Sequence, residues 1–219
     1  MNGDKFDRKE IESSLYGAVI CDALDSMGYR NQCIRIPMRP HTGITKLFGR
    51  CKTTLWADMY DLDPDPYALE LEAVDSCRPG DVLIAAAGGS MRSGIWGELL
   101  STAARNSGCV GAIVHGAVRD VDKMTDMRFP VFANGTCLYD SLHRQRVVDI
   151  DVKVEIDGVV IAPGDLIFAD LDGIVVIPSA VEEEVISKAT LKVSAENITR
   201  DAIKNGMKAT EAYKKYGVL

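Results

Sequence analysis

The sequence predicts an α/β protein. Three observations carry that reading. Residues 94–120 run as loop, helix, strand and loop. Residues 152–177 hold short apolar stretches separated by Asp157-Gly158, Pro163-Gly164-Asp165 and Asp172-Gly173, the punctuation of successive strands. A long helix is expected from Ser179 to about Asn205. The 219 residues are 47% hydrophobic, which suffices for a substantial core. No linker-like stretch divides them, so residues 1–219 are read as one compact domain.

Composition narrows the setting. A net charge of −7 argues against sequence-independent binding to nucleic acid, and leaves a basic protein surface open as a partner. No apolar run reaches membrane-spanning length, and the opening stretch from Met1 to Glu10 is too polar for a signal peptide. A cytoplasmic location is expected. Cys21, Cys33, Cys51, Cys77, Cys109 and Cys137 are scattered without a Cys-x-x-Cys pair, and are read as reduced, mostly buried thiols.

In chain order, residues 8–27 read as one helix, with Ile11, Leu15, Val19, Leu24 and Met27 on its apolar stripe and Gly28 as its stop. Asp22 and Asp25 lie one turn apart on it, which suits an exposed edge better than a metal site. Residues 31–50, broken by Pro37, Pro40, Gly43 and Gly49, are loop with short extended pieces. Residues 51–57 have strand character. The acidic stretch 58–67 lacks the glycine and distal glutamate of a calcium loop and reads as a turn. Residues 67–74 then make a short amphipathic helix, and Val82 to Ala87 a buried strand.

The glycine-rich loop from Gly88 to Gly94 can cradle an anion but matches neither a P-loop nor a dinucleotide fingerprint. Trp96, Leu99, Leu100, Ala103 and Ala104 mark one helix face, ended by Gly108. Residues 110–114 are a buried strand ending at His115, which is read as a satisfied core histidine or a supporting group behind the site. Residues 121–127 read as a short helix and 129–133 as a strand, followed by a turn at Asn134-Gly135. On the last long helix, Ser179 with Glu182 suggests a capping box. Glu196 falls inside the stripe of Val181, Val185, Ala189, Val193 and Ile203. A carboxylate there needs a partner, across a subunit contact or on a solvated outer half. Residues 210–215 close the chain with a helical turn.

The chemistry concentrates after residue 94. A glycine-led helix start presents the amides of Gly97, Glu98, Leu99 and Leu100 to an anion. Arg119 offers a rigid fork for a carboxylate or a developing enolate, and Asp120 an oxygen ligand for a hard cation. Taken alone, an Arg-Asp pair is a solvated turn.

The pair is not alone. Glu98, twenty intervening residues and Arg119-Asp120 resemble the Asp/Glu-x20-Arg-Asp signature of the 4-hydroxy-4-methyl-2-oxoglutarate aldolase family, which also holds the RraA-like regulators of ribonuclease E. Many members once carried a menaquinone methyltransferase label, for which no methyl-donor loop is seen. The stretches Ala18 to Gly28, Pro79 to Leu83 and Glu211 to Leu219 resemble the family's first helix, pre-loop strand and tail. The resemblance covers nearly the whole chain. It implies an α/β fold of mixed sheets flanked by helices, of the swivelling β/β/α type, in homotrimers or homohexamers with sites between subunits.

The resemblance also implies a mechanism. Gly97, Glu98, Leu99, Leu100 and Arg119 would bind a 2-oxo acid, Asp120 would hold Mg²⁺ or Mn²⁺, and Glu98 would reach the metal through water. Glu196 is the match for a glutamate delivered by a neighbouring subunit. Retro-aldol cleavage would release pyruvate, with oxaloacetate decarboxylation as a companion activity. Loops including residues 31–50, or a neighbour's tail, would read the group on C4. A non-catalytic regulator of an RNA-processing enzyme is the alternative, and so is action on another sugar-derived acid.

Overall fold

A computed structural model of the chain describes residues 6–218. Met1 to Lys5 of the polar opening stretch and Leu219 of the family-like tail lie outside the described residues. The helices are α1 (Arg8–Ser14), α2 (Gly17–Ser26), α3 (Ala68–Asp75), α4 (Glu98–Asn106), α5 (Val121–Asp126), α6 (Glu182–Lys204) and α7 (Ala209–Tyr216). The strands are β1 (Cys33–Ile34), β2 (Arg39–Pro40), β3 (Leu47–Asp58), β4 (Asp81–Ala86), β5 (Gly94–Trp96), β6 (Gly111–Val118), β7 (Val131–Thr136), β8 (Gln145–Ile150), β9 (Val154–Ile156), β10 (Val159–Ile161), β11 (Leu166–Ala169) and β12 (Ile174–Ile177).

The strand sequences explain the layers. In β4, Val82, Ile84 and Ala86 face one side while Leu83 and Ala85 face the other, and all are buried. Burial on both faces is what makes such a strand read as a continuous apolar run. Strands β3, β4, β6 and β7 are parallel neighbours, joined through α3, α4 and α5. Antiparallel strands extend them, giving one ten-stranded mixed sheet in the order β1-β12-β11-β3-β4-β6-β7-β2, with β5 on β6 and β8 on β3.

The sheet curls around an interior of Leu47, Val82, Ile84, Ile113, Phe132, Ile167 and Val176, closed by Ile156, Val159 and Ile161 of the β9–β10 hairpin. On its outer face, Leu83, Ala85, Ala112 and Val114 pack with Val74, Ala104 and Met124 of α3, α4 and α5. Farther along, Phe48, Leu166, Phe168 and Val175 pack with Ile11, Val19, Ile20, Leu24, Val185 and Ala189 of α1, α2 and α6. Each of the larger apolar side chains contributes about 1.5–3 kcal/mol by leaving water. The mixed α/β architecture is therefore as predicted. Among the described residues no helix is long and apolar enough to cross a membrane.

Tertiary contacts override several local readings. The helix expected over 8–27 breaks at Leu15 and Tyr16, both extended. There the Gly17 amide donates to Asp170 Oδ2 at 2.6 Å, and Lys46 Nζ donates to the Glu12 and Leu15 carbonyls at 2.6 and 3.0 Å. The Ser179–Glu182 capping box does not form. Instead, the Ser179 amide donates to Asp165 Oδ1, Glu182 pairs with Arg50 at 2.9 Å, and a 3₁₀ turn precedes α6. Asn134-Gly135 lies inside β7, because Gly135 still pairs with Ala117 across the ladder. Strand β8, half exposed and charged, was unmarked in the sequence. Cys21 and Cys33 form a disulfide, contrary to the expectation of reduced thiols throughout, while Cys51, Cys77 and Cys109 are free and buried. Asp22 takes an ion pair with Lys192 at 2.7 Å, in keeping with an exposed edge.

At Gly49 the parallel pair of β3 and β4 leaves no room for a side chain. A Cβ there would stand against the Gly80 carbonyl oxygen and 2.9 Å from Val82 Cγ2. The backbone carbonyl has nowhere to go. Gly49→Ala should therefore lower the unfolding free energy by about 2–3 kcal/mol in urea titrations. An unchanged midpoint would show that the two strands separate more easily than this packing implies.

Candidate active site

Strand β6 ends at Val118, and its carboxyl end meets the start of α4. Here the rule that ligands gather past the carboxyl ends of parallel strands has a local cause. Asp120 adopts a left-handed backbone, φ 55° and ψ 34°, so that β6 turns into α5 across only Arg119 and Asp120. Aspartate tolerates this region better than most residues. The turn brings the Asp120 carboxylate back to α4, where Oδ2 accepts the Glu98 amide at 3.3 Å. Gly97 permits that approach: a Cβ on it would lie 2.6 Å from Asp120 Oδ2 and 3.2 Å from Arg119 Cγ.

The α4 start is also held from below. Trp96 Nε1 donates to the buried Ser101 hydroxyl at 2.8 Å, which donates to the Gly97 carbonyl at 2.8 Å. Trp96 stacks on Phe129. This changes the expected helix face. Trp96 belongs to β5, Ser101 and Ala104 are buried, and Leu99 is 75% exposed at the mouth of the cleft.

A cleft of about 290 Å³ opens here, lined by Tyr67 just before α3, Glu70 and Leu71 of α3, Gly94 and Ile95, Gly97, Leu99 and Leu100, Arg119 and Asp120, and Asp140 and Ser141. The structure thus gathers Gly97, Leu99, Leu100, Arg119 and Asp120 in one cleft. Glu98 sits at their edge, its Oε1 accepting from the Thr102 hydroxyl at 3.0 Å. Residues 31–50 do not line the cleft; their Ile34 to Arg39 segment lines a separate cavity with Gly17 and Asp172.

Glu196 is not brought to the cleft within one chain. It lies on α6, where it accepts a hydrogen bond from the Tyr16 hydroxyl and stands 3.7 Å from Arg200 and 3.9 Å from Lys192. Burial, then the bond to Glu196, push the Tyr16 hydroxyl up to about 12. His115 does not line the cleft either. Its buried Nδ1 has no partner among the described residues, so it is not the satisfied core histidine expected, and burial lowers its pKa.

The sequence reading missed Tyr67, Glu70, Asp140 and Ser141. Arg119 Nη2 pairs with Asp140 Oδ2 at 2.8 Å, and the Tyr67 hydroxyl donates to Asp140 Oδ1 at 2.6 Å. Although burial pushes Asp140 up, Tyr67, the Leu142 amide and Arg119 outweigh it and hold the carboxyl below its usual range. Glu70 is the opposite case. It is 8% exposed, and burial first, then the Asp140 charge, push it up to about 8 against the smaller pulls of Ser141 and Arg119. A signal existed for Glu70, which lies three and four residues before the buried Ala73 and Val74 on one helix face. Nothing local marks Asp140.

The donor set fits a hard divalent cation. Asp120 presents a half-exposed carboxylate, and Gly97 leaves the cradle beside it clear. Among the described residues no three His, Cys, Asp or Glu side chains converge, so Asp120 would be the one side-chain ligand and water would fill the rest. That sparse set suits Mg²⁺ or Mn²⁺ better than zinc.

The profile of the RraA-like family, Aldolase/RraA, matches residues 17–176. A Halalkalibacterium halodurans protein named "Putative 4-hydroxy-4-methyl-2-oxoglutarate aldolase" is 36% identical over 143 residues, covering 65% of this chain and 68% of that one. Among solved structures, an uncharacterised protein from Pseudomonas syringae superposes with a TM-score of 0.80 at 26% identity, covering 93% of this chain and 94% of that chain. Streptomyces coelicolor RraAS2, described as an unusual member of the RNase ES inhibitor RraA family, gives 0.75 at 27% identity, covering 91% and 99%.

Glu70 makes a stability prediction. Because its carboxyl is raised from 4.5 to about 8, the folded protein holds a proton that the unfolded chain releases. Stability from this group is complete below the unfolded pKa and falls as pH rises toward the folded one. Glu70→Gln removes the slope. In chelator-treated protein, its Tm should match wild type near pH 4.5 and exceed it by roughly 10 °C at pH 8. Parallel Tm curves for the two proteins would mean that Glu70 ionises normally.

Proposed function

Because the chain belongs to the RraA-like family, Aldolase/RraA, we propose that it cleaves a 4-hydroxy-2-oxo acid between C3 and C4, releasing pyruvate and a second carbonyl compound. The observation that carries this reading is the convergence of the Gly97–Leu100 helix start, Arg119 and Asp120 in one cleft. Retro-aldol cleavage needs a site for the 2-oxo acid's carboxylate, positive charge where the enolate develops, and an acceptor for the 4-hydroxyl proton.

The first-turn amides of α4 lack intrahelical acceptors and carry the helix's partial positive end, so they bind the C1 carboxylate. Arg119, held by Asp140, keeps a fixed guanidinium beside the forming enolate oxygen, and a preorganised charge is worth most where it need not reorient. A divalent cation at Asp120 would supply Lewis acidity at the 2-oxo group. Glu98, fixed by Thr102, holds a water that accepts the 4-hydroxyl proton. As that proton leaves, the C3–C4 pair collapses into the enolate, and protonation at C3 gives pyruvate. Loss of carbon dioxide from oxaloacetate yields the same enolate, so decarboxylation is a companion activity. 4-Hydroxy-4-methyl-2-oxoglutarate, the compound in the relative's name, is the first substrate to try.

A regulatory reading has support too, since the likeness to RraAS2 extends over 91% of this chain. A protein that only binds an endonuclease has no use for the Arg119–Asp120 geometry, which is why catalysis is preferred here.

The test is pyruvate release with Mg²⁺ and with chelator. Asp120→Ala should abolish the metal-dependent rate, and Arg119→Lys should cost about 100-fold in kcat, because a lysine cannot reproduce the fork. A folded, metal-supplemented wild type that releases no pyruvate from any 4-hydroxy-2-oxo acid would sink the aldolase reading and favour the regulator.

A further inference from the structure

The cleft is short of positive charge. Among the described residues that line it, Arg119 is the only cation, and Glu70, Asp120 and Asp140 are all carboxyls. Arg119 is already engaged, with Nη2 on Asp140 at 2.8 Å and Nε 3.7 Å from Asp120. The wall formed by α3 and residues 140–141 presents only carboxyl and hydroxyl groups as polar side chains: Tyr67, Glu70, Asp140 and Ser141. Asp140 is saturated by Tyr67, Arg119 and the Leu142 amide. Glu70 is not. It is more than nine-tenths buried, it bonds to Ser141, and its Oε2 has no partner among the described residues.

A buried polar atom without a partner costs free energy, and on a side chain that lines a cleft it marks a place where a ligand can supply the missing bond. Because burial and Asp140 keep Glu70 protonated at neutral pH, this carboxyl both donates and accepts. A hydroxyl suits it. A carboxylate does not, because it would enter beside Asp140 with no cation left once the 2-oxo acid end has taken Arg119 and the α4 amides.

Resting on the aldolase reading above, we propose that Glu70, hydrogen-bonded to Ser141 beside the Asp140 carboxylate, selects 4-hydroxy-2-oxo acids whose substituent beyond C4 is neutral and hydroxylated, and disfavours those that carry a second carboxylate there. The Glu70 carboxyl is the contact group. The aldehyde product is then a neutral hydroxyaldehyde, and the reaction that supplies the substrate is one that makes 2-oxo-3-deoxy acids from hydroxylated precursors, such as dehydration of a sugar acid.

A matched pair tests this. 4,5-Dihydroxy-2-oxopentanoate and 4-hydroxy-2-oxoglutarate share five carbons and differ only in a hydroxymethyl group against a carboxylate. With Mg²⁺, wild type should show kcat/KM at least about tenfold higher for the first. Asp140→Asn, which removes a charge from the wall and loosens the hold on Arg119, should shrink that ratio. Glu70→Leu should lower kcat/KM for the dihydroxy acid more than for the dicarboxylate, shrinking the ratio, and Glu70→Gln should restore most of it. An equal or reversed ratio in wild type overturns the proposal while leaving the aldolase reading intact.

If neither acid turns over, calorimetric binding of an unreactive pair decides the selectivity separately. Tighter binding of 5-hydroxy-2-oxopentanoate than of 2-oxoglutarate upholds the proposal. Equal or weaker binding, or binding of neither, overturns it.

Discussion

The left-handed turn at Asp120 is the constraint on which the site depends. A strand that ran on past Val118 would carry Arg119 and Asp120 away from α4. One residue at φ 55° reverses that course and starts α5, so the two side chains face the amino end of α4 instead. The Asp120 carboxylate then meets the Glu98 amide, and that contact needs Gly97 to be bare. Three residues far apart in chemical type are thus coupled: a glycine with no room for a methyl, an aspartate in an uncommon backbone region, and an arginine fixed between two carboxylates. Changing any one moves the others, because the buried links from Trp96 through Ser101 to Gly97 leave α4 no freedom to adjust.

Charge in the cleft follows from the same packing. Arg119 serves three demands at once: it neutralises Asp140, it stands near Asp120, and it is the one guanidinium open to a ligand. Asp140 can stay ionised because Tyr67 and the Leu142 amide share its charge. With that negative charge fixed nearby, the buried Glu70 holds its proton. Two carboxyls in one wall are pushed in opposite directions by their surroundings, which is the usual way a site obtains both an anion and a neutral acid at one pH.

Much of this was legible in the sequence where signals were local. The α4–β6 unit, the Glu98 to Arg119-Asp120 spacing and the strand-turn sequence after residue 152 all depend on residues close together in the chain. What was missed is long-range. The break in the first helix comes from Asp170, more than a hundred residues away, and Asp165 likewise displaces the expected cap at Ser179. The Cys21–Cys33 bond has no spacing signature; it exists because α2 and β1 both pack against β12. Asp140 enters the cleft on a loop whose course no neighbouring residue dictates. Glu70 did leave a trace, as a carboxylate on the inward face of α3, but only burial reveals that it is chemistry and not a solvated edge.

Glu196 posed the sharpest question in the sequence: a carboxylate on an apolar helix stripe. The single chain supplies an answer in Tyr16, freed to face α6 by the same break that separates α1 from α2. With Lys192 and Arg200 nearby, the charge of Glu196 is compensated without a second subunit. Giving up a hydrogen bond to a charged group costs roughly 1.5–3 kcal/mol. Any role in a neighbour's cleft must therefore be played by Glu196 with Tyr16 still bound, as a carboxylate already aimed and held. The break at Leu15 and Tyr16, which looks like a failure of helix periodicity, is then the feature that orients this group.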